Sequence, residues 1–216
     1  MDLEFIVEEF PGIWEGVPVT IGLFAWSLFY GTLGGLLLAL LRLSRLRGLR
    51  AVSAGITWVG RGIPPLIILF IAFFVFPEIG ITLERFPTGV LGLALWAAVY
   101  QGEVIRAGIM GVDPGQWEAS EALGMSGRHY MRRIIIPQGL RIMIPPYFGN
   151  AMTLLKLTSI ASIVTITEIT LLAQRVISFK FVSLEPLLTI AFIYLALNTV
   201  LQFAQLGFER AFRLRV

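Results

Sequence analysis

Cysteine is absent from this 216-residue chain, and histidine occurs once, at His129. The absence of cysteine excludes disulfide bonds, thiol chemistry and cysteine-ligated metals. A single histidine cannot build a histidine metal cluster. Charged residues make up only 14% of the chain, compared with about 25% in a soluble domain. The composition therefore argues against both a secreted disulfide scaffold and a soluble metalloenzyme.

Motifs for enzymatic chemistry are also missing. A phosphate-binding loop requires G-x-x-x-x-G-K-[ST], and neither of the two lysines, Lys156 and Lys180, follows such glycines. Residues 124–127 (GMSG) fall one position short of a nucleophile elbow. Aspartyl chemistry inside a membrane would need two buried aspartates, whereas Asp2 and Asp113 both lie outside the apolar segments. We therefore expect no catalytic residue, no metal and no cofactor in this chain, and no ATP hydrolysis by it alone.

Apolar residues, in contrast, form 56% of the chain and raise its mean hydropathy to +0.82. A membrane-spanning helix needs about 20 mostly apolar residues. Five segments meet that requirement, at about residues 17–41, 51–76, 88–110, 144–172 and 184–208. We therefore predict an all-α, polytopic membrane protein with five transmembrane helices.

The basic residues predict the orientation of these helices, because cytoplasmic loops carry an excess of lysine and arginine. Twelve of the 17 basic residues fall on one predicted side: Arg42, Arg45, Arg47, Arg50, Arg106, Arg128, Arg132, Arg133, Arg141, Arg210, Arg213 and Arg215. The other side carries Arg85, Arg175 and Lys180 together with the acids Asp2, Glu4, Glu8, Glu9, Glu78, Glu84 and Glu185. The N-terminus is therefore predicted outside and the C-terminus in the cytoplasm, as an odd number of helices requires.

The chain shows no internal repeat, which disfavours a one-chain transporter built from inverted repeats. Its acidic N-terminus lacks the basic region of a signal peptide, so we expect the first spanning helix to direct insertion. We also find no low-complexity linker. The simplest organisation is one transmembrane domain over residues 1–216, with a cytoplasmic loop at about residues 111–137.

That loop has the pattern of a short capped helix. Asp113 is a good N-cap, Pro114 suits the first helical position, and Gln116 can complete a capping box. The pattern continues to about Leu123 and stops at Gly124, a glycine that is typical of helix C-termini. A helix this short cannot span a membrane and is marginal in water. Its residues leave two roles open, a helix lying on the membrane surface or a docking element.

Several motifs together indicate a family. Residues 118–124 (EASEALG) and the following Ile136-Pro137 resemble the EAA loop of ABC importer permeases. The polar amino acid branch, which is the histidine, glutamine, arginine and glutamate type, has motifs similar to RGIP at 61–64, YQGE at 100–103, RAGI at 106–109, GQWEA at 115–119, IPQ at 136–138 and LKLTS at 155–159. The chain departs from the family pattern at Ile63, Ser120, Gly139 and Leu157, the last standing where the family has aspartate.

The resemblance implies a type I ABC importer permease that translocates a polar or charged amino acid. It implies that the short helix is a coupling helix docking into an ATPase, with contacts from Asp113, Gln116, Glu118, Ala119, Glu121, Ala122 and Gly124. The implied partners are a pair of ATPase subunits that bind ATP and Mg, an identical or related second permease, an extracytoplasmic amino-acid-binding protein and membrane lipid, but no nucleic acid. The implied location is the inner membrane of a prokaryote.

Two other functional classes remain open. One is an ABC permease for another small solute that carries an amine and a carboxylate, such as an opine. The other is a self-contained secondary carrier or a membrane enzyme, which the missing motifs make the weaker alternative.

Polar residues inside the apolar segments are candidates for the substrate pathway, because ionisable groups are costly in a membrane. These candidates are Arg61, Glu103, Lys156, Thr158, Ser159, Glu168 and Asn198. Arg61 and Glu103 are expected either to form a structural pair or to act in gating. Lys156 is expected to meet a carboxylate of the substrate or of the protein. Glu168 either attracts a substrate amine or caps a helix break.

The last segment carries a polar stripe at Tyr194, Asn198, Gln202, Gln205 and Glu209. These positions share one helical face, which either bonds a neighbouring helix or lines a pathway. Three glycines of the first segment, Gly31, Gly34 and Gly35, are expected to permit close helix packing. The pairs Pro64-Pro65 and Pro145-Pro146 are expected to kink or break their helices.

Overall fold

The computed structural model describes the backbone of residues 3–212 and the side chains of residues 8–212. Four residues on which the predicted orientation depends fall outside this description. They are Asp2, Arg213 and Arg215, and Glu4 as regards its side chain. Every regular element within it is helical. The α-helices are α1 Leu3–Trp14, α2 Val17–Leu43, α3 Arg47–Gly62, α4 Pro65–Phe70, α5 Phe76–Glu78, α6 Arg85–Met110, α7 Pro114–Ala122, α8 Gly127–Tyr130, α9 Ile136–Leu157, α10 Ile169–Lys180 and α11 Leu184–Ala211.

Three stretches are each long and apolar enough to cross a membrane: Glu8–Leu43, which includes the turn between α1 and α2, Arg85–Met110 and Leu184–Ala211. Two further candidates are bent pairs of helices. The segments Arg47–Gly62 and Pro65–Glu78 meet at 104°, and Gly127–Val164 meets Ile169–Lys180 at 49°. The described part of the chain therefore forms a multi-pass helical membrane protein with three spans, or five when each bent pair counts as one. Each predicted apolar segment lies on one of these five.

The first bend lies where the proline pair predicts it. Ile63 has ψ of 129° and Pro64 has ψ of 141°, both extended, because a following proline disfavours the helical conformation of the residue before it. Helix α3 ends there and α4 begins with Pro65. A π-helical turn, Ile71–Val75, then links α4 to α5.

The second bend lies elsewhere than the proline pair suggested. Helix α9 continues through Pro145 and Pro146 without interruption, so of the kink or break expected at this pair, the break is wrong. The break comes later, where a 3₁₀ turn at Thr158–Val164 is followed by Thr165 in the left-handed conformation, with φ of 61°. The chain resumes as α10 after Glu168.

The most extensive helix pair is α2 with α6, and it depends on small residues. A Cβ atom on Gly31 would clash with the Cβ of Ala97, and one on Gly35 would lie 2.7 Å from the backbone nitrogen of Gly102. Ser27 adds a hydrogen bond of 3.3 Å from its hydroxyl to the carbonyl of Val90. Such small-residue contacts drive close helix packing in membranes, as expected from these glycines.

Helix α6 is the centre of the fold, because it packs on α2, α3, α4 and α9. Helix α11 packs on α9 and α10 at the periphery. The outer faces of α2 and α11 expose large apolar side chains, among them Trp26, Phe29, Leu37, Phe192, Leu195 and Phe203. In a membrane protein such faces are covered by lipid or by another subunit.

Candidate functional site

The short helix α7 begins as its sequence predicts. The Oδ1 atom of Asp113 accepts a hydrogen bond of 2.7 Å from the backbone N–H of Gly115, which satisfies a helix-terminal donor. The side chain of Gln116, expected in a capping box, is used differently. Its Oε1 atom accepts a hydrogen bond of 3.0 Å from Nε2 of Gln138. This bond ties α7 to the start of α9.

The end of α7 is a Schellman motif around Gly124. This residue has φ of 67°, its N–H donates to the carbonyl of Glu121 at 2.9 Å, and the N–H of Met125 donates to the carbonyl of Ser120 at 3.1 Å. Both bonds satisfy carbonyl groups that the helix end would otherwise leave free. The glycine therefore closes the helix, which ends at Ala122, one residue earlier than expected.

The two faces of α7 differ in their surroundings. Trp117 packs edge-on against Tyr130, with ring centroids 5.7 Å apart, above an apolar cluster that contains Ile109, Ile135 and Met143. Ser120 is buried beside it and donates to the carbonyl of Gln116 at 2.6 Å. The residues expected to couple, Glu118, Ala119, Glu121 and Ala122, are all exposed on the other face. The helix is thus anchored by its own loop and leaves a free face of carboxylates and methyl groups.

A buried polar network occupies the second bend. Glu168 is fully buried and is the N-cap of α10, its Oε1 atom accepting a hydrogen bond of 2.9 Å from the N–H of Leu171. Its Oε2 atom accepts one of 3.2 Å from the hydroxyl of Tyr194. That hydroxyl also lies 3.3 Å from Oγ1 of Thr158 and 3.5 Å from Oγ1 of Thr170. Two predicted candidates, Glu168 and Thr158, are therefore brought together through a tyrosine of α11.

The junction of α1 and α2 closes the other side of this network. The N–H of Ile169 donates to Oγ1 of Thr20 at 3.3 Å, and the Thr20 hydroxyl donates to the carbonyl of Gly16 at 3.1 Å. A Cβ atom on Gly16 would lie 2.6 Å from the nitrogen of Ile169. These contacts hold the backbone of Glu168 and Ile169 against the start of α2, while the Glu168 side chain serves as the N-cap of α10.

Other candidates lie outside the network. Lys156 is exposed in the last turn of α9, where its carbonyl accepts a hydrogen bond of 2.8 Å from Ser159. Asn198 is half-buried one turn beyond Tyr194 and donates to the carbonyl of that tyrosine at 2.9 Å. In the polar stripe that contains it, Gln205 and Glu209 bond each other at 2.7 Å.

Arg61 and Glu103 do not form the structural pair that was one of their two predicted roles. The Glu103 carboxylate binds Arg106 on its own helix, with Nη2 and Oε2 2.8 Å apart. The guanidinium of Arg61 lies over the ring of Tyr100, 5.5 Å from its centroid, and Tyr100 stacks on Trp96. Because Glu103 and Arg106 are three residues apart on α6, their pairing is a local property of that helix.

A buried glutamine of the YQGE motif was not among the predicted pathway residues. Gln101 is buried in α6, donates from Nε2 to the carbonyl of Tyr147 at 3.2 Å, and accepts from Asn150 at 3.4 Å. The hydroxyl of Tyr147 lies 2.8 Å from Oγ1 of Thr32. These bonds join α2, α6 and α9. The sequence feature that could have identified this network is the polar amide of Gln101 within an apolar span, because such groups form hydrogen bonds between helices.

We predict that Glu168→Ala destabilises the protein, whereas Glu168→Gln does not. Alanine leaves the Tyr194 hydroxyl and the Leu171 N–H without their shared acceptor, and a buried unpaired donor costs about 1–3 kcal/mol. Glutamine can accept from the N–H and donate to the tyrosine oxygen. Thermal unfolding in detergent measures the difference.

Substrate uptake by the same variants separates the two roles of Glu168. A capping residue leaves the KM for substrate unchanged in Glu168→Gln. A large rise in KM with normal thermal stability would contradict the capping role, because it would indicate contact with a substrate amine.

Bent spans around buried polar groups, with a short polar helix between two spans, are typical of the membrane subunit of a transport system. The chain belongs to the family described as binding-protein-dependent transport system inner membrane component, whose sequence profile matches residues 31–214. It is a permease subunit of an ABC importer and not an enzyme, and ATP is hydrolysed by a separate ATPase subunit.

Known relatives cover nearly the whole chain. The probable amino-acid ABC transporter permease YckA of Bacillus subtilis is 36% identical over 194 residues, which are 90% of this chain and 86% of the relative. The L-cystine transport system permease TcyB of the same organism is 36% identical over 203 residues, 92% of this chain and 84% of the relative. A crystal structure of an amino acid ABC transporter with histidines superposes with a TM-score of 0.91 at 31% identity, covering 98% of this chain and 99% of that one.

Proposed function

We propose that this permease imports a polar or charged amino acid across the inner membrane of a prokaryote. The observation that carries the proposal is the likeness in fold and sequence, over almost the full length of both chains, to the amino acid transporter with histidines. The relatives named for amino acids and for cystine support the same substrate class. We propose five spans, with the N-terminus outside and the C-terminus in the cytoplasm.

An opine is the second candidate substrate. The nopaline transport system permease NocM of Agrobacterium fabrum is 35% identical over 210 residues, covering 93% of this chain and 87% of the relative. That likeness is nearly as high as the likeness to the amino acid permeases. A solute that carries both an amine and a carboxylate is common to the two candidates.

The exposed face of α7 is the proposed contact with the ATPase. A helix that lies on a membrane surface buries an apolar stripe in lipid, whereas α7 turns its tryptophan into its own loop and exposes Glu118, Ala119, Glu121 and Ala122. Small side chains permit close approach, and carboxylates suit a groove with basic groups. These features support docking over a surface role. In the proposed assembly, two ATPase subunits bind ATP and Mg.

Two further partners complete the proposed assembly. A second permease, identical or related, covers one of the exposed apolar faces of α2 and α11, and a binding protein delivers substrate from outside. The apolar side chains on these faces, such as Trp26 and Phe203, support burial by lipid or by a subunit.

Movement of α7 has a continuous route to the buried network. The Gln116–Gln138 hydrogen bond joins α7 to the start of α9, and the packing of Trp117 on Tyr130 joins α7 to α8, which leads through a π-helical turn into α9. The other end of α9 leads into the 3₁₀ turn that contains Thr158 and contacts Tyr194. We propose that closure of the ATPase pair displaces α9 along this route and alters the bend at Glu168, because coupling is carried by packed and bonded elements.

Reconstitution tests the proposed function. Proteoliposomes that contain this permease, its ATPase and its binding protein are expected to accumulate a polar amino acid only when ATP is supplied inside the vesicles. A screen of amino acids and opines, measured by uptake and by thermal shift of the binding protein, identifies the substrate. Transport by the permease alone, without ATP, would contradict the proposal.

Cysteine labelling tests the orientation, and the absence of native cysteine removes the background. We predict that Thr82→Cys, exposed between α5 and α6, reacts with an impermeant maleimide in intact cells. Glu118→Cys, exposed on α7, is expected to react only after the membrane is permeabilised. The reverse pattern would show that α7 faces outward and could not meet a cytoplasmic ATPase.

A further inference from the structure

A group of basic side chains lies just beyond α7 and has no role in the coupling proposal. Arg128 and His129 lie in α8, and Arg132 and Arg133 in the π-helical turn Met131–Ile135 that follows. The other residues of this segment, Tyr130, Met131, Ile134 and Ile135, pack into the apolar cluster beneath α7. All four basic side chains are exposed on the opposite side.

These side chains form one concave surface. Together with Ser126 they line a depression of about 450 Å³, which we name the basic site. No acidic residue lines it. Within residues 8–212 the salt bridges join Arg106 to Glu103 and Lys180 to Glu9, so no carboxylate of the described chain neutralises the arginines of the basic site.

The chemistry of the basic site selects a phosphate group. Like charges at one surface repel one another unless an anion lies between them. The planar guanidinium binds phosphate through two parallel hydrogen bonds, and the Ser126 hydroxyl is a further donor. Three arginines around one depression therefore match a phosphate ester better than a single weak carboxylate.

The surface next to the basic site identifies the source of that phosphate. Ile136 and Leu140 lie four residues apart in α9 and share one helical face, and the π-helical turn that carries Arg132 and Arg133 leads directly into this helix. Both apolar side chains are exposed, by 41% and 38%. The face thus changes from basic to apolar where α9 enters the membrane. A phospholipid has the same order, with a phosphate followed by acyl chains. A free phosphate has no apolar group that could contact Ile136 and Leu140.

We propose that the basic site binds the head group of an anionic phospholipid, with an acyl chain along Ile136 and Leu140. Basic clusters at the cytoplasmic end of spanning helices bind anionic head groups in this way. The cytoplasmic leaflet follows from the proposed orientation, on which this assignment of leaflet rests. A bound lipid would hold the start of α9 at the membrane surface, next to the Gln116–Gln138 bond.

The test uses the purified full-length permease in a neutral detergent and a fluorescent, short-chain phosphatidylglycerol. A matching phosphatidylcholine measures binding that does not depend on charge. The wild type is expected to prefer phosphatidylglycerol. Each arginine near an anionic surface contributes roughly fivefold in affinity, so Arg132→Gln with Arg133→Gln should weaken phosphatidylglycerol binding by about 25-fold and leave phosphatidylcholine binding unchanged.

Two matched variants control for folding and for general charge. Arg132→Lys with Arg133→Lys keeps the charge and is expected to retain most of the binding. Arg45→Gln with Arg47→Gln removes the same charge from exposed positions before and at the start of α3, and is expected to bind like the wild type. Equal losses in the Arg45/Arg47 and Arg132/Arg133 glutamine variants would overturn the proposal, because they would indicate general attraction rather than a site.

Two other results would also overturn it. If soluble glycerol phosphate displaced the probe as well as unlabelled phosphatidylglycerol does, the site would bind the anion without the lipid. If the glutamine variant kept its lipid binding and lost its ATPase instead, the site would serve the protein partner. The lipid titration in detergent does not depend on orientation or transport. Its failure would therefore leave the proposed import function intact. Uptake measured in parallel shows whether lipid binding or import is the proposal that has failed.

Discussion

Replacing Gly124 with valine is expected to abolish ATP-dependent uptake while leaving membrane insertion intact. Gly124 has φ of 67°, a conformation that costs an L-residue roughly 1–2 kcal/mol and a β-branched residue more. The cost does not come from a clash, because no atom lies within 4 Å of a Cβ placed there. Valine therefore acts on the backbone and opens the Schellman motif that ends α7.

Asparagine at the same position is the matched control. It tolerates the left-handed conformation, so Gly124→Asn should keep the Schellman bonds and most of the uptake. Both variants are measured by uptake into proteoliposomes and by co-purification of the ATPase. Wild-type uptake by the valine variant would contradict the coupling role of α7, because the helix would then transmit force without its defined end.

The second large effect is expected at the contact between α2 and α6, where Gly35→Ala should strongly reduce the amount of folded protein. A Cβ atom would lie 2.7 Å from the nitrogen of Gly102 and 2.9 Å from the carbonyl oxygen of Ala98. Both are backbone atoms and cannot rotate away as a side chain can. Overpacking costs about 1–3 kcal/mol and occasionally more, and a clash with backbone belongs at the upper end because two whole helices must separate.

Gly55→Ala makes the same chemical change where there is room. No atom lies within 4 Å of a Cβ on Gly55, and alanine favours the helical state by up to about 1 kcal/mol over glycine. We expect this variant to be as stable as the wild type or slightly more stable. Size-exclusion profiles and thermal unfolding in detergent measure both variants. Equal stability of the two would show that α2 and α6 do not pack as closely as the structure has them.

The apolar helices and the α7 caps were predictable because each depends on residues that are neighbours in the sequence. An apolar run of sufficient length must become a buried or membrane-embedded helix, since its backbone groups find partners only within the helix. A proline disfavours the helical conformation of the residue before it, which favoured the break at Pro64-Pro65, although the same pair at 145–146 lies inside a continuous helix. Asp113 and Gly124 act on backbone groups two or three positions away. Such local effects can be predicted from the order of the residues alone.

Features that join distant parts of the chain required the tertiary structure. The bond between Glu168 and Tyr194 depends on how α10 and α11 are rotated, and the bond between Gln101 and Tyr147 depends on the packing of α6 on α9. Periodicity places a residue on a face of its helix but does not say which neighbour that face meets.

For the same reason, the sequence left Arg61 and Glu103 either as a structural pair or in gating, and it predicted a kink or break at Pro145-Pro146, where α9 is continuous. Composition and order of residues determined the class of the protein and the caps of its short helix α7. The position, rotation and bending of each helix relative to its neighbours decided which polar groups meet. These quantities follow from packing between helices and not from the sequence of any single helix.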